Sequence, residues 1–253
     1  MVEYYLNFAG KSVIVTGASS GIGAATAIMF AEQRASVTLI GRNETKLNAV
    51  AKKLPNNATS LILKADVTTD AKKIIDETVN KFGKIDVLVN NAGFAKYGGL
   101  TDGKFLEAYD ALMRTNMRAV AELTMLAVPH LAKTKGNIIN TSSIAANSLP
   151  FDGRLLPYYV SKAALDHFTR GAAMEFAPKG IRVNSVNPGP VLTNFIENAG
   201  AAVNPDEIAE MTALKRFSTP EEIAELILYL ASDKAQGMTG SLVVIDNGWL
   251  LRP

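Results

Sequence analysis

Tyr158 and Lys162 stand four residues apart in YYVSK, so on a helix they share one face. A phenol with an ordinary pKa of about 10 is a poor acid–base group at pH 7. A neighbouring ammonium favours the phenolate and brings that pKa down. Such a pair could protonate a carbonyl oxygen as hydride is delivered, or deprotonate an alcohol in reverse. Taken alone, the spacing more often marks an ordinary pair on a helix surface. Thr141-Ser142-Ser143 closes an apolar run. A hydroxyl there could bond a substrate oxygen, although serines so placed commonly cap turns and helices.

Gly17, Gly21 and Gly23 form G-x-x-x-G-x-G between an apolar run and a stretch of helix formers. The spacing differs from the G-x-G-x-x-G dinucleotide fingerprint, but the physics carries over. Glycine permits a tight turn, close approach of backbone to a ligand, and close packing of helix on strand. The next helix N-terminus would offer free N–H groups to a pyrophosphate, and Ser19 and Ser20 add hydroxyl donors. A glycine turn without a ligand fits the pattern too. So does a different chemistry, because Gly17 to Gly21 read G-x-S-x-G, the nucleophile elbow of serine hydrolases. That reading lacks an earlier oxyanion loop, and its histidine should come late, whereas the last one is His167. Gly41-Arg42-Asn43 ends the second apolar run, where a dinucleotide fold places the adenosine ribose. An acid there would accept from the ribose hydroxyls. Arg42 instead suits a 2′-phosphate through paired charge-assisted bonds, which points to NADP (NADPH) over NAD; a plain surface arginine is the alternative.

Short apolar runs and helical patterns alternate around these groups. Strands are expected over residues 12–17, 36–40, 60–67, 85–93, 136–143, 181–189 and 241–246. Helices are expected over 22–34, 44–54, 70–82, 103–133, 157–178 and 221–232, with 190–218 irregular and polar. Strands alternating with helices imply right-handed crossovers. Continuously apolar strands imply burial on both faces. The expected fold is α/β: a doubly wound, Rossmann-like parallel sheet of about seven strands with helices on both faces. No linker breaks residues 1–253, so one domain is expected.

Composition narrows the function. Of 253 residues, 48% are hydrophobic and 20% charged, which excludes disorder for most of the chain. A net charge of +2 does not suit a nucleic-acid binder. Without cysteine there is no disulfide, thiolate nucleophile or zinc–thiolate site, and His130 and His167 alone cannot build a multi-histidine metal centre. The longest uncharged stretch, 12–31, contains TGASSGIG and is too polar to span a membrane. The opening residues show no signal-peptide pattern. A soluble cytoplasmic protein is expected.

Together the motifs resemble the short-chain dehydrogenases/reductases over about residues 10–248. They are TGASSGIG (16–23), Asp66 in ADVT, NNAG (90–93), Asn116 in RTNMRA, the INTSS strand end, YYVSK (158–162), NPGPVLT (187–193) and TG…DNG. The resemblance implies a catalytic tetrad of Asn116, Ser143, Tyr158 and Lys162. Tyr158 would be the acid–base group. Lys162 would lower its pKa and bind the nicotinamide ribose, Ser143 would polarise the carbonyl, and Asn116 would hold a water in a relay to Lys162. Gly17, Ser19, Ser20, Gly21, Ile22 and Gly23 would hold the pyrophosphate and ribose. Arg42 and Asn43 would stand at the adenosine ribose, Asp66 and Val67 at adenine, and Asn91, Ala92 and Gly93 on the adenosine side. Pro188, Gly189, Val191 and Thr193 would hold the carboxamide. Ser143 to Tyr158 is 15 residues, about two more than the family's usual spacing, which leaves Ser142 open beside Ser143 and lengthens the loop 144–157.

Segments 144–157 and 193–217 should form the mouth of the site, with 193–217 as a substrate lid. Leu149, Phe151, Leu155, Leu156, Phe195, Ile196, Met211 and Leu214 would suit an apolar ketone or secondary alcohol, such as a steroid, terpenoid or xenobiotic carbonyl. A 3-oxoacyl group on an acidic carrier protein is the second substrate reading, for which Lys179 and Arg182 offer little basic surface. A non-catalytic dinucleotide-binding scaffold or sensor is the third, though it needs no Asn/Ser/Tyr/Lys set. The family also implies a homotetramer, or a homodimer, built on the long helices, with Ala163, Ala164, Ala172 and Ala173 allowing close approach.

Overall fold

The computed structural model describes residues 6–193, 195 and 205–251. In chain order they form β1 (Ser12–Thr16), α1 (Gly21–Glu32), β2 (Ser36–Gly41), α2 (Glu44–Ala51), β3 (Ser60–Lys64), α3 (Ala71–Phe82), β4 (Val87–Asn90) and α4 (Phe105–Met113). Then follow α5 (Ala119–Thr134), β5 (Asn137–Thr141), α6 (Leu156–Phe176), β6 (Arg182–Pro188), α7 (Pro205–Glu210), α8 (Pro220–Ala231) and β7 (Leu242–Ile245). Every strand pairing is parallel, in the order β3-β2-β1-β4-β5-β6-β7. The expected doubly wound sheet is therefore present.

Alternation along β1 sends its side chains to two separate layers. Val13 and Val15 pack with Phe30, Leu47 and Ile227 from α1, α2 and α8. Ile14 packs with Ile74, Leu123 and Phe176 from α3, α5 and α6. Ala172 and Ala173, read above as contacts for a second copy, are buried in this second layer of their own chain. The strand order reverses between β1 and β4, which opens a crevice at their C-terminal ends.

Two departures from expectation matter for the site. Strands expected over 60–67, 85–93 and 136–143 stop at Lys64, Asn90 and Thr141. The residues beyond have left the ladder and form the crevice rim. The helix expected over 103–133 is interrupted by a π turn, Arg114–Arg118. Asn116 lies in that turn, 1% exposed, and its amide bonds the backbone of Phe94. A polar partner drawn into a helix face from outside explains the wider turn, and the apolar periodicity on either side carries no sign of it.

The crevice depends on close backbone contact at one glycine. A Cβ on Gly23 would lie 2.3 Å from the Gly17 carbonyl oxygen, whereas Gly171, exposed within α6, has nothing within 4 Å. Gly23→Ala is expected to cost about 3 kcal/mol, and Gly171→Ala to stabilise by about 0.5–1 kcal/mol. Urea denaturation of both variants measures the contrast.

Candidate active site

A cavity of about 1080 Å³ runs along the C-terminal ends of the strands. Gly17, Ser19, Ser20, Gly21, Ile22, Arg42, Asn43, Asp66, Val67, Asn91, Ala92 and Gly93 line it at one end. Ser142, Ser143, Tyr158, Lys162, Pro188, Gly189, Val191 and Thr193 line it further along. Of the residues expected at the site, Gly23 and Asn116 do not line it. Gly23 serves from behind, by letting α1 close on β1.

The glycine end is a tied cradle. The Thr16 hydroxyl accepts from the Asn91 and Ala92 amides at 2.9 and 3.0 Å, and the Asn91 side chain donates to the Thr16 carbonyl. A Cβ on Gly17 would meet Asn91 Nδ2 at 2.9 Å, and Gly17 takes φ +68, so glycine is required there twice over. Ser20 is the N-cap of α1, but its side chain caps nothing, so the first turn keeps free N–H groups beside the cavity. Asn43 differs from expectation: its side chain accepts from the Lys46 amide and caps α2, so only its remaining surface faces a ligand. Arg42 is 81% exposed and reaches Asp66 at 4.0 Å. Burial raises the Asp66 carboxyl, but bonds from Thr68 and the charge of Arg42 outweigh it and leave it below its ordinary value.

At the other end α6 presents Tyr158 and Lys162 as the spacing implied. Lys162 is 5% exposed, donates to the Thr141 carbonyl at 2.8 Å, and lies 5.8 Å from the centre of the Tyr158 ring. The Tyr158 hydroxyl is turned toward the side chain of Ser143. Ser142 turns away and donates to the Lys162 carbonyl at 3.3 Å, so Ser143 is the serine facing the phenol. The Tyr159 hydroxyl is instead turned toward the Phe151 backbone and Ser148.

The electrostatics correct one expectation. Lys162 was expected to draw the phenol down, yet burial pushes Tyr158 up to about 12, with Ser143 opposing it. It is the lysine that yields: burial brings Lys162 down to about 8, and only the charge of Asp166 resists. Both shifts have one cause, since a closed site penalises each charged form. Asn116 is tied down on both of its amide protons. Its two amide protons go to the Phe94 carbonyl and the Ser161 hydroxyl, and Ser161 in turn donates to the Tyr158 carbonyl. The side chain braces the start of α6 against the loop after β4.

The mouth is more aromatic than expected. Phe151, Leu155 and Phe195 line the cavity, but Leu149 is 91% exposed and does not, nor do Leu156, Met211 or Leu214. Ile196 and most of the first half of the expected lid lie outside the described residues. Phe94, Tyr97, Ile208 and Trp249 line it without having been anticipated. Phe94 and Tyr97 directly follow NNAG at a strand end, a position that could have flagged them; Trp249 is brought in only by the tertiary fold. Asn247 in the terminal DNG takes φ +53, which asparagine tolerates, while its amide donates to the Arg216 carbonyl and the Ser218 hydroxyl.

A parallel doubly wound sheet, a glycine cradle at its switch point and an adjacent Ser/Tyr/Lys cluster define a dinucleotide-dependent α/β oxidoreductase. Residues 17–250 match the protein family described as Enoyl-(Acyl carrier protein) reductase. An "Uncharacterized oxidoreductase" of Thermotoga maritima is 38% identical over 249 residues, covering 96% of this chain and 98% of that one. A 3-oxoacyl-[acyl-carrier-protein] reductase of the same organism is 34% identical, covering 96% and 98%. A short-chain dehydrogenase/reductase of unknown function from Caenorhabditis elegans, solved with cofactor, superposes with a TM-score of 0.91 at 38% identity, covering 97% of both chains. The chain belongs to the short-chain dehydrogenase/reductase family, oxidoreductases that act on alcohol and ketone groups with a nicotinamide dinucleotide. The cradle fits such a group: Gly17, Gly21 and Gly93 line the wall, and the free N–H groups of α1 suit a pyrophosphate.

The two serines separate by variant. Ser143→Ala is expected to lower kcat for carbonyl reduction by about 10²-fold or more, and Ser142→Ala by less than about fivefold. Steady-state assays with a ketone panel make the comparison.

Proposed function

We propose that this protein is an NADP(H)-dependent oxidoreductase that interconverts a largely apolar ketone and its secondary alcohol, with Tyr158 as the proton donor to the carbonyl oxygen. The observation that carries the reading is the Tyr158 hydroxyl, turned toward Ser143 on the wall of the same cavity that runs back to the glycine cradle. The bound dinucleotide supplies or accepts the hydride. Ser143 and Tyr158 hold the carbonyl oxygen between two hydroxyls. Burial keeps the phenol protonated at neutral pH, which suits it to donate in the reducing direction. Lys162, alongside, binds the nicotinamide ribose and supplies the positive charge that favours the phenolate in the step that follows. Pro188, Gly189, Val191 and Thr193 hold the carboxamide, and Asp66 and Val67 flank adenine.

Arg42 at the end of β2 supports NADP over NAD. It is exposed and ends a strand where the adenosine ribose belongs, and Lys46 and Lys64 line the same end of the cavity. Phe94, Tyr97, Phe151, Tyr159, Phe195 and Trp249 support an apolar substrate such as a steroid, terpenoid or xenobiotic carbonyl. The 3-oxoacyl reading draws on the 34% identical relative. It gains no basic surface, because Arg182 is half-buried at the opposite end of the sheet and bonded to the Met238 and Ser232 carbonyls. A hydrolase reading of Ser19 gains no base, since neither His130 nor His167 lines the cavity. Exposed Leu106, Met125 and Met174 on α4, α5 and α6 support a homotetramer or homodimer. No described helix is long and apolar enough to cross a membrane, and we place the protein in the cytoplasm.

Tyr158→Phe is expected to lower kcat by about 10³-fold or more while leaving the melting temperature within a few degrees. Wild-type turnover in that variant overturns the acid–base role. Arg42→Ala is expected to raise the Kd for NADPH by about tenfold and to leave that for NADH within about twofold. Equal losses for the two cofactors contradict the 2′-phosphate role.

A further inference from the structure

We propose that Asp166 is a positioning residue of the active site, one helical turn behind Lys162, which holds that lysine in its charged state and fixes the backbone of Ser143. The proposal rests on the reading of Lys162 as the charged partner of Tyr158. Three residues at a spacing of four, Tyr158, Lys162 and Asp166, run down one face of α6. Asp166 is 5% exposed, and a carboxylate so deeply placed must find donors or a countercharge.

It finds donors from several sides. Asn187 on β6 donates to Oδ2 at 2.7 Å and Asn147 beyond the Ser143 turn to Oδ2 at 3.4 Å, while the Ser185 hydroxyl, 3.4 Å from Oδ1, gives its proton to Asn187 Oδ1 at 2.7 Å. The Ser142 hydroxyl lies close by, with its proton on the Lys162 carbonyl. Asn187 donates as well to the Ser143 carbonyl at 3.2 Å, so the carboxylate and the Ser143 backbone are held by one amide. These neutral donors favour the ionised form and fix its direction, while burial outweighs them and holds the Asp166 carboxyl above its ordinary value.

Lys162 is the cation that this anion serves. Facing Lys162 are Tyr158 and Asp166 from α6, the Thr141 carbonyl from β5, and Gly93 from the loop after β4. Facing Asp166 are Lys162 from α6, Ser142 from the end of β5, Asn147, and Ser185 and Asn187 from β6. Lys162 and Asp166 are the charged members of these sets. A buried ammonium whose neutral partner is a single carbonyl loses its proton readily; an anion a turn away on the same helix opposes that loss. Burial lowers Lys162 and raises Asp166, and in each case the other residue counters the shift.

The test compares Asp166→Asn and Asp166→Ser with the wild type across pH 6–10. The readouts are kcat/KM for NADPH and, without turnover, the Kd for NADPH from the fluorescence of Trp249, the single tryptophan, which lines the cavity. The wild type is expected to lose activity and affinity along a limb near pH 8, where Lys162 gives up its proton. Each variant is expected to move that limb down by about 1 pH unit, so that the deficit is about tenfold at pH 9 and about twofold or less at pH 6. A purely structural carboxylate lowers activity equally at every pH and leaves the limb in place. A limb present in the wild type and unmoved in both variants overturns the role of Asp166 alone. A wild type with no such limb overturns the reading of Lys162 as well. Failure of both variants to fold also overturns the proposal, which assigns Asp166 a charge that the fold does not require.

Discussion

The arrangement turns on an ammonium group held out of water. Lys162 has one neutral acceptor of its own, the Thr141 carbonyl at the end of β5, and it shares a helix face with a phenol and a carboxylate. Burial works against that charge, and the surrounding polar groups limit the cost without cancelling it. The same burial keeps Tyr158 protonated. A site that excludes water therefore sets both members of the pair, in opposite directions, toward their neutral forms. In the fully solvated state neither would titrate anywhere near its value here.

Holding α6 in this position takes most of the sheet. Asn90 donates to Asn140 across β4 and β5, and Asn140 donates to Thr169 on α6, a polar ladder sunk between two apolar layers. Asn116 braces the first turn of α6 through Ser161. At the other end of the crevice, Thr16 gathers the NNAG turn onto β1 while Gly17 and Gly23 let α1 close over it. Gly189 lies against Asp246 so closely that a Cβ there would meet its Cα at 2.8 Å, which fixes the loop after β6 to the C-terminal turn. The glycine cradle and the Ser/Tyr/Lys cluster are thus two ends of one continuous cavity wall.

Much of this was legible in the sequence because burial on both faces leaves a clear mark. Continuous apolar runs such as SVIVT and SVTLI identified the central strands, and the alternation with helices implied their parallel order. The i, i+4 spacing of Tyr158 and Lys162 implied one shared helix face, and both line the cavity. Three things were not legible. The π turn at Asn116 is set by a bond to the backbone of Phe94, and no local propensity signals it. The direction of the Tyr158 shift depends on how closed the site is, a tertiary property that reverses the expectation drawn from the neighbouring ammonium alone. The choice between Ser142 and Ser143 depends on which hydroxyl the β5 end turns toward the cavity. Asp166 lay within reach of the same spacing argument that found Lys162, one turn further on.

The central claim is that one buried phenol delivers the proton to the substrate oxygen. A crystal structure of the protein with NADP and a bound ketone or alcohol tests it most directly. The expected result is Tyr158 Oη within about 3 Å of the substrate oxygen, with Ser143 on the other side of that oxygen and the nicotinamide ring stacked against the reacting carbon. A substrate oxygen bonded elsewhere, with Tyr158 pointing away from the nicotinamide end of the cavity, contradicts it.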